Sequence, residues 1–95
     1  MFLVTTVVFP PDKSQKVAEK YIEVAAKELP SFLKRLYVLV SSKTDEGIKV
    51  LSIFEADDAN IKDGIIEITR HCVQFNAIPG FRFEIETMMP RQFRH

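Results

Sequence analysis

The most constraining feature of this chain is the order in which two periodicities take turns. An extended strand sends successive side chains to opposite faces, whereas a helix repeats every 3.6 residues. Residues 2–9, FLVTTVVF, are β-branched and aromatic and are stopped by Pro10 and Pro11, so they form a strand. KSQKVAEKYIEVAAKEL follows with a helical period. Ala18, Ile22, Ala25 and Leu29 make its apolar stripe, Val17 and Tyr21 flank it, and Lys16, Lys20, Glu23 and Lys27 take the outer face. Asp12 and Ser14 are candidate caps, with Gln15 three residues after Asp12, and Pro30 ends the helix. LKRLYVLVSS (33–42) and GIKVLSIFEA (47–56) are strands joined through the polar KTDE and Gly47, which marks a hairpin. Asp57 or Asp58 caps a second helix with the stripe Ile61, Ile65, Ile68, Cys72 and Phe75, and IPG at 78–80 closes it. The chain then alternates through GFRFEIETMMP, with Phe81, Phe83 and Ile85 on one side and Arg82, Glu84 and Glu86 on the other.

Two β-α-β halves with right-handed crossovers predict an α+β, ferredoxin-like βαββαβ sandwich. Its four-stranded antiparallel sheet has the strand order 4-1-3-2 and carries both helices on one face. A length of 95 residues suits one such domain over residues 1–95.

The helix-free face of that sheet has no element left in the chain to cover it. Centring the hairpin turn on Thr44 and Asp45 pairs Val38 with Leu51 and Leu36 with Ile53, so these four and Val40 would face the helices. Arg35, Tyr37, Leu39, Ile48, Val50, Ser52 and Phe54 would then share the free face with Arg82, Glu84, Glu86 and Met88. The first strand adds either Leu3, Thr5, Val7 and Phe9 or Phe2, Val4, Thr6 and Val8, and a one-residue change of register exchanges the hairpin sets. Such a face is too apolar to stay bare in a soluble monomer. The simplest arrangement packs two sheets face to face across a twofold axis, with the polar side chains lining a cavity or its rim.

Composition narrows the partners. Of the residues, 46% are hydrophobic and eight are Phe, while the formal net charge is zero. A strongly basic nucleic-acid binder looks different. RNA-recognition modules share this topology but stack bases on central-strand aromatics and need phosphate attraction; here Phe54 stands without a Lys/Arg-Gly-Phe run. One cysteine, Cys72, excludes an intrachain disulfide and suits a reducing compartment. The apolar start lacks a basic segment and a small-residue cleavage site, and no stretch is long enough to span a bilayer, so the expectation is a cytoplasmic protein without membrane contact.

The run GIKVLSIFEADDANIKDGI, followed by FNAIPGFRFEIETMMP, resembles the second half of small dimeric α/β barrel proteins. The strand ending in FEADD and running into a helix is similar to GYD-type and related uncharacterised domains, which carry an acidic residue, a small residue and an aspartate there. The Gly-Tyr-Asp signature itself is absent, and SSKTDEGIKV stands in its place. The resemblance implies a dimeric α/β barrel with an interface pocket. That superfamily includes cofactor-free monooxygenases, isomerases, dehydratases, haem-handling enzymes and ligand-sensing modules, so the resemblance names no reaction.

Tyr37, Ser52, Phe54, Arg82, Glu84 and Glu86 are the ligand-pocket candidates, because sites are apolar chambers with few polar groups. Glu84 or Glu86, desolvated there, would serve as a base, and Tyr37 would orient a carbonyl or phenol. The plainer reading makes the charges of the last strand a guard against unwanted edge pairing. Glu55, Asp57 and Asp58 form a carboxylate cluster, but a helix start already accounts for the aspartates. His71 lies one turn after Glu67, an acid–base or ligand pair with no further histidine near it, and Cys72 reads as a buried thiol. No metal or cofactor is expected. Arg91, Arg94 and His95 end the chain as a basic tail, either solvated or clamping an acidic group. The leading expectation is a homodimer, joined through the helix-free face, that binds a small molecule there. The alternatives are a cofactor-independent monooxygenase or isomerase on the same scaffold, and a structural or interaction subunit with a filled interface. Whether the protein is an enzyme stays open at this level.

Overall fold

The strands β1 (Phe2–Phe9), β2 (Leu33–Ser41), β3 (Ile48–Ala56) and β4 (Arg82–Met88) form one antiparallel sheet in the order β2-β3-β1-β4. The helices α1 (Ser14–Ala25) and α2 (Ile61–Cys72) occupy the two crossovers. This is the ferredoxin-like α+β topology, with the expected strand order. The computed structural model describes residues 1–25, 27–41 and 44–91. Ser42 and Lys43 of the hairpin, Arg94 and His95 of the tail, and the side chain of Ala25 lie outside the described residues.

Register settles which side chains face the helices. Residues directly opposite one another in a sheet share a face. Leu3 pairs with Phe54 and Thr87, Thr5 with Ser52 and Ile85, and Val7 with Val50 and Phe83. Leu3 is completely buried in a cluster with Leu33, Phe54, Ala56, Ile68 and Cys72. The helix side of β1 is therefore Leu3, Thr5, Val7 and Phe9. Phe81, Phe83 and Ile85 take the helix side as their alternation predicts, and Arg82, Glu84 and Glu86 the free side.

The hairpin departs from the expected register. Arg35 pairs with Phe54, but Tyr37 pairs with Ile53, and the ladder shifts by one residue between them. One extra residue in β2, a bulge at Leu36, changes the parity of the strand. Tyr37 and Leu39 lie on the free face and Val38 and Val40 on the helix side, as expected. Arg35, Ile48, Val50, Ser52 and Phe54 belong to the helix side, and Leu51 and Ile53 take the free face in their place. The free face keeps its apolar character with different members: Tyr37, Leu39, Leu51, Ile53 and Val4.

The helices cover the sheet unevenly. On α2 the stripe Ile61, Ile65, Ile68, Cys72 and Phe75 packs inward as its spacing predicts. Gly64 brings that helix close to the sheet, since a Cβ there would stand 2.9 Å from Leu3 Cδ1. On α1 the buried row is Val17 and Val24, with Tyr21 between them, whereas Ala18 is exposed and Ile22 is 73% exposed. The expected stripe is rotated by one residue, about 100°, because the larger Val17, Tyr21 and Val24 fill the space above the sheet. Among the described residues the helix runs over Ser14–Ala25, and residues 27–29 ahead of Pro30 are not helical. Of the four candidate caps, Asp12 and Asp58 lie inside the 3-10 turns Pro11–Lys13 and Asp58–Asn60 ahead of the helices, Ser14 Oγ donates back to Pro11 O at 2.7 Å, and Asp57 takes the N-cap position of the second turn without a side-chain cap bond. A second cluster of Phe9, Val17, Val24 and Phe75 joins α1 to the sheet, and Phe81 stacks on both Phe75 and Phe9.

The end of β1 is held by two glycines. Gly47 at φ 121° and Gly80 at φ 82° both lie in the left-handed region, and a Cβ would stand 2.5 Å from Phe9 O or from Pro10 Cγ respectively. Leu3 anchors the other end. Truncating it leaves a cavity beneath α2, so Leu3→Ala should cost about 2–5 kcal/mol in urea denaturation; a loss under about 1 kcal/mol would show that α2 does not depend on it.

Candidate functional site

A chamber runs along the seam between the two core clusters. Its volume is about 100 Å³, and its lining is mostly apolar. The sheet supplies the floor through Thr5, Val7, Val50, Ser52 and Phe54; α1 supplies Val17, Tyr21 and Val24; α2 supplies Ile68, His71 and Cys72. Phe9, Phe75 and Phe81 close the far end, and Leu29 and Arg35 flank the mouth. The mouth continues into a surface depression of about 390 Å³ that adds Lys27 and Glu28 to Tyr21, Arg35 and His71.

Few polar groups reach this space. Thr5 is 3% exposed, and its Oγ1 finds no hydrogen-bond partner among the described residues. Burying a hydroxyl unpaired costs about 1–3 kcal/mol, so this atom is the chamber's unmet polar demand. Ser52 lies directly across from it in the β1–β3 ladder. At the mouth Arg35 stacks its guanidinium on Phe54, 5.2 Å from the ring centroid, and Arg35 Nη1 donates to Tyr21 Oη at 3.4 Å, bridging β2 to α1. His71, with its side chain 14% exposed, places Nε2 3.5 Å from Glu67 Oε1, and Glu67 Oε2 also meets Arg70 Nη1 at 3.3 Å.

The residues singled out from the sequence are divided among three places. Ser52 and Phe54, expected on the helix-free face, line the helix-side chamber. Tyr37 lies on that free face at the β2 edge, while Arg82, Glu84 and Glu86 lie on it along β4, at the opposite edge; β3 and β1 separate them. Three strand spacings amount to about 14 Å, so the six do not converge. Arg82 pairs with Glu46 at 3.3 Å rather than with its neighbours on β4, and Arg82 and Glu84 border an open depression with Thr6, Val8 and Lys49. Glu55 faces away from the chamber, opposite Phe2. Among the described residues, no three of His, Cys, Asp and Glu come close enough to share a metal ion. His71 lies away from the helix-free face and on the wall of the helix-side chamber. Thr5, Tyr21 and Leu29 were missed; the sequence signal for Thr5 was the hydroxyl pair Thr5 and Thr6 in the middle of an apolar strand, which does not say which of the two turns inward.

Cys72 offers a direct readout of the chamber. Burial pushes its thiol from 9.0 up to about 11, since a thiolate would be poorly solvated there. The folded thiol ionises later than the unfolded one. Its contribution to stability is therefore intact below pH 9 and is lost as the pH rises toward 11. At pH 8 a thiol reagent such as Ellman's should label Cys72 at least about a hundredfold more slowly than the urea-unfolded chain. Labelling at the unfolded rate would mean that the chamber wall is open to solvent.

Comparison with known proteins names no family for this chain. No family model matches the chain, including any GYD-type model, and no curated protein matches it. Among solved structures, a formyltetrahydrofolate deformylase from Pseudomonas putida KT2440 is similar at 13% identity and a TM-score of 0.44, over 92% of this chain and 28% of that one. This chain thus spans less than a third of that protein, and a likeness of this grade assigns it no chemistry.

Proposed function

We propose that this protein binds a small, largely apolar molecule bearing one acidic group, held in the chamber between α1 and the sheet. The observation that carries the reading is the Thr5 hydroxyl, buried and unpartnered in an otherwise apolar space. Binding sites combine such a lining with a few placed polar groups. The volume is of the order that admits a single ring, since an engineered apolar cavity of about 150 Å³ binds benzene. Thr5 and Ser52 would meet a polar substituent at depth. Arg35 and Tyr21 would meet the acidic group at the mouth, where a guanidinium suits a carboxylate. Kinship with dimeric α/β barrel proteins belongs to the same proposal. It is supported by the βαββαβ order and by the apolar row Tyr37, Leu39, Leu51 and Ile53 on the helix-free face, a surface of the kind a second sheet covers.

A second reading, proton-transfer catalysis on the bound molecule, is favoured by one observation: His71 lines the chamber with the Glu67 carboxylate 3.5 Å behind it. A histidine so placed can take and return a proton. Its mark would be turnover of a bound acid that His71→Gln abolishes while binding persists.

The test of the first reading uses benzoate and toluene as probes in thermal unfolding, because a ligand of the folded state raises its midpoint. Both should raise the midpoint of the native protein at about 10 mM, as expected of weak binding. Arg35→Gln should remove the benzoate shift and keep the toluene shift, and both probes should slow Cys72 labelling further. Thr5→Val should stabilise the ligand-free protein by about 1 kcal/mol by removing the unpaired hydroxyl. If neither probe shifts unfolding or protects Cys72, the chamber is not a binding site.

A further inference from the structure

The chamber has two polar ends, and they differ in kind. Arg35, Lys27, Glu28 and His71 all border the depression at the mouth, so the charged groups are gathered there. On the floor the polar groups are hydroxyls. Thr5 and Ser52 stand directly opposite each other in the β1–β3 ladder and both line the chamber. Thr5 is 3% exposed, and its Oγ1 has no hydrogen-bond partner among the described residues. A hydroxyl both donates and accepts, so a ligand hydroxyl can serve Thr5 and Ser52 together. A second charge at that depth would lose its hydration and meet only hydroxyls in return, which is a poor exchange.

Register sets how far apart the two ends are. Arg35 lies opposite Phe54 on β3, and Thr5 lies opposite Ser52, two residues away along the same strand. Two strand spacings across are about 10 Å and two residues along are about 7 Å, so the Cα atoms of Arg35 and Thr5 stand about 12 Å apart on the diagonal. The Arg35 guanidinium leans over Phe54, 5.2 Å from its ring centroid, and shortens the gap. Between the two ends lies the stretch of β3 from Phe54 to Ser52, with Tyr21 and Val24 of α1 and Cys72 of α2 also lining the space.

We infer that the site takes monocyclic aromatic acids carrying a neutral hydroxyl at the end of the ring opposite the acidic group, and that Thr5 reads that hydroxyl. This substrate class rests on the acid-binding reading above and adds to it the nature and the position of the second polar group. With the carboxylate at Arg35, a hydroxyl on the neighbouring ring carbon stays at the mouth and leaves Thr5 unpaired. A hydroxyl at the far end of the ring comes to lie at Thr5, within a hydrogen bond of about 2.8 Å. A site built around a ligand hydroxyl discriminates against the analogue lacking it, because the protein group is then left buried and unsatisfied.

The experiment is an NMR titration of the native protein at pH 7, where a phenol of pKa about 10 is neutral. The probes are benzoate, 2-hydroxybenzoate, 4-hydroxybenzoate and terephthalate. 4-Hydroxybenzoate should bind at least about tenfold more tightly than benzoate, the effect of satisfying one buried hydroxyl. Neither 2-hydroxybenzoate nor terephthalate should bind more tightly than benzoate. In Thr5→Val the ratio of the benzoate to the 4-hydroxybenzoate dissociation constant should fall to about one, and Thr5→Ser, which keeps a hydroxyl, should preserve it. Equal binding of benzoate and 4-hydroxybenzoate by the native protein overturns the assignment. So does 2-hydroxybenzoate or terephthalate matching 4-hydroxybenzoate, or a preference that survives Thr5→Val. In each of these outcomes benzoate still binds, so the acid site stands and only its hydroxyl specificity falls. Failure of all four probes to bind removes the acid site and the specificity together.

Discussion

The seating of α2 on Leu3 sets the geometry of the rest of the molecule. Gly64 lacks the Cβ that would meet Leu3 Cδ1 at 2.9 Å, so the helix backbone approaches β1 closely. α1 makes no such approach. It reaches the sheet through Val17 and Val24 and the stacked rings of Phe75, Phe81 and Phe9. One helix is pressed down at one end and the other is propped up by aromatics at the opposite end. The chamber is the gap this leaves, and it borrows Phe54, Ile68 and Cys72 from one cluster and Val17, Val24 and Phe75 from the other.

The same unevenness explains why β2 stands apart. Two short helices cannot span four strands with equal cover. α2 packs over β1 and β4, whereas Tyr37, Val38, Leu39 and Val40 of β2 are exposed. Arg35 is the one charged side chain of that strand turned toward the helices. Among the described residues it meets the Phe54 ring and the Tyr21 hydroxyl rather than a carboxylate. A cation held on an aromatic face keeps its charge, so the mouth of the chamber is electropositive where the β4 edge carries carboxylates.

Much of the fold was legible because periodicity is a local property. The strict alternation of Phe81 to Glu86 and the spacing of Ile61, Ile65, Ile68 and Cys72 each admit one orientation. β1 was ambiguous because FLVTTVVF offers apolar side chains to both faces. α1 offered two adjacent rows of similar spacing, Ala18 with Ile22 and Val17 with Tyr21 and Val24, and only the depth of the space to be filled chooses between them. The bulge at Leu36 was invisible, since an added residue leaves no composition signal, and every face assignment on β3 inherited its error. Ser52 and Phe54 were expected on the helix-free face and lie on the helix side for the same reason, and the standoff of α1 that leaves the chamber open is a tertiary outcome with no one-dimensional trace.

The bulge also divides the labour of β2. Before it, Leu33 and Arg35 answer to the interior; after it, the alternation restarts out of step, and Tyr37 and Leu39 answer to the outer surface. The two stretches can drift under separate evolutionary pressures, because a replacement in one leaves the other in place. Their count of residues cannot drift. Losing Leu36 would turn half the strand inside out at a stroke, so homologues of this chain should hold the length of that segment constant even where its exposed letters change.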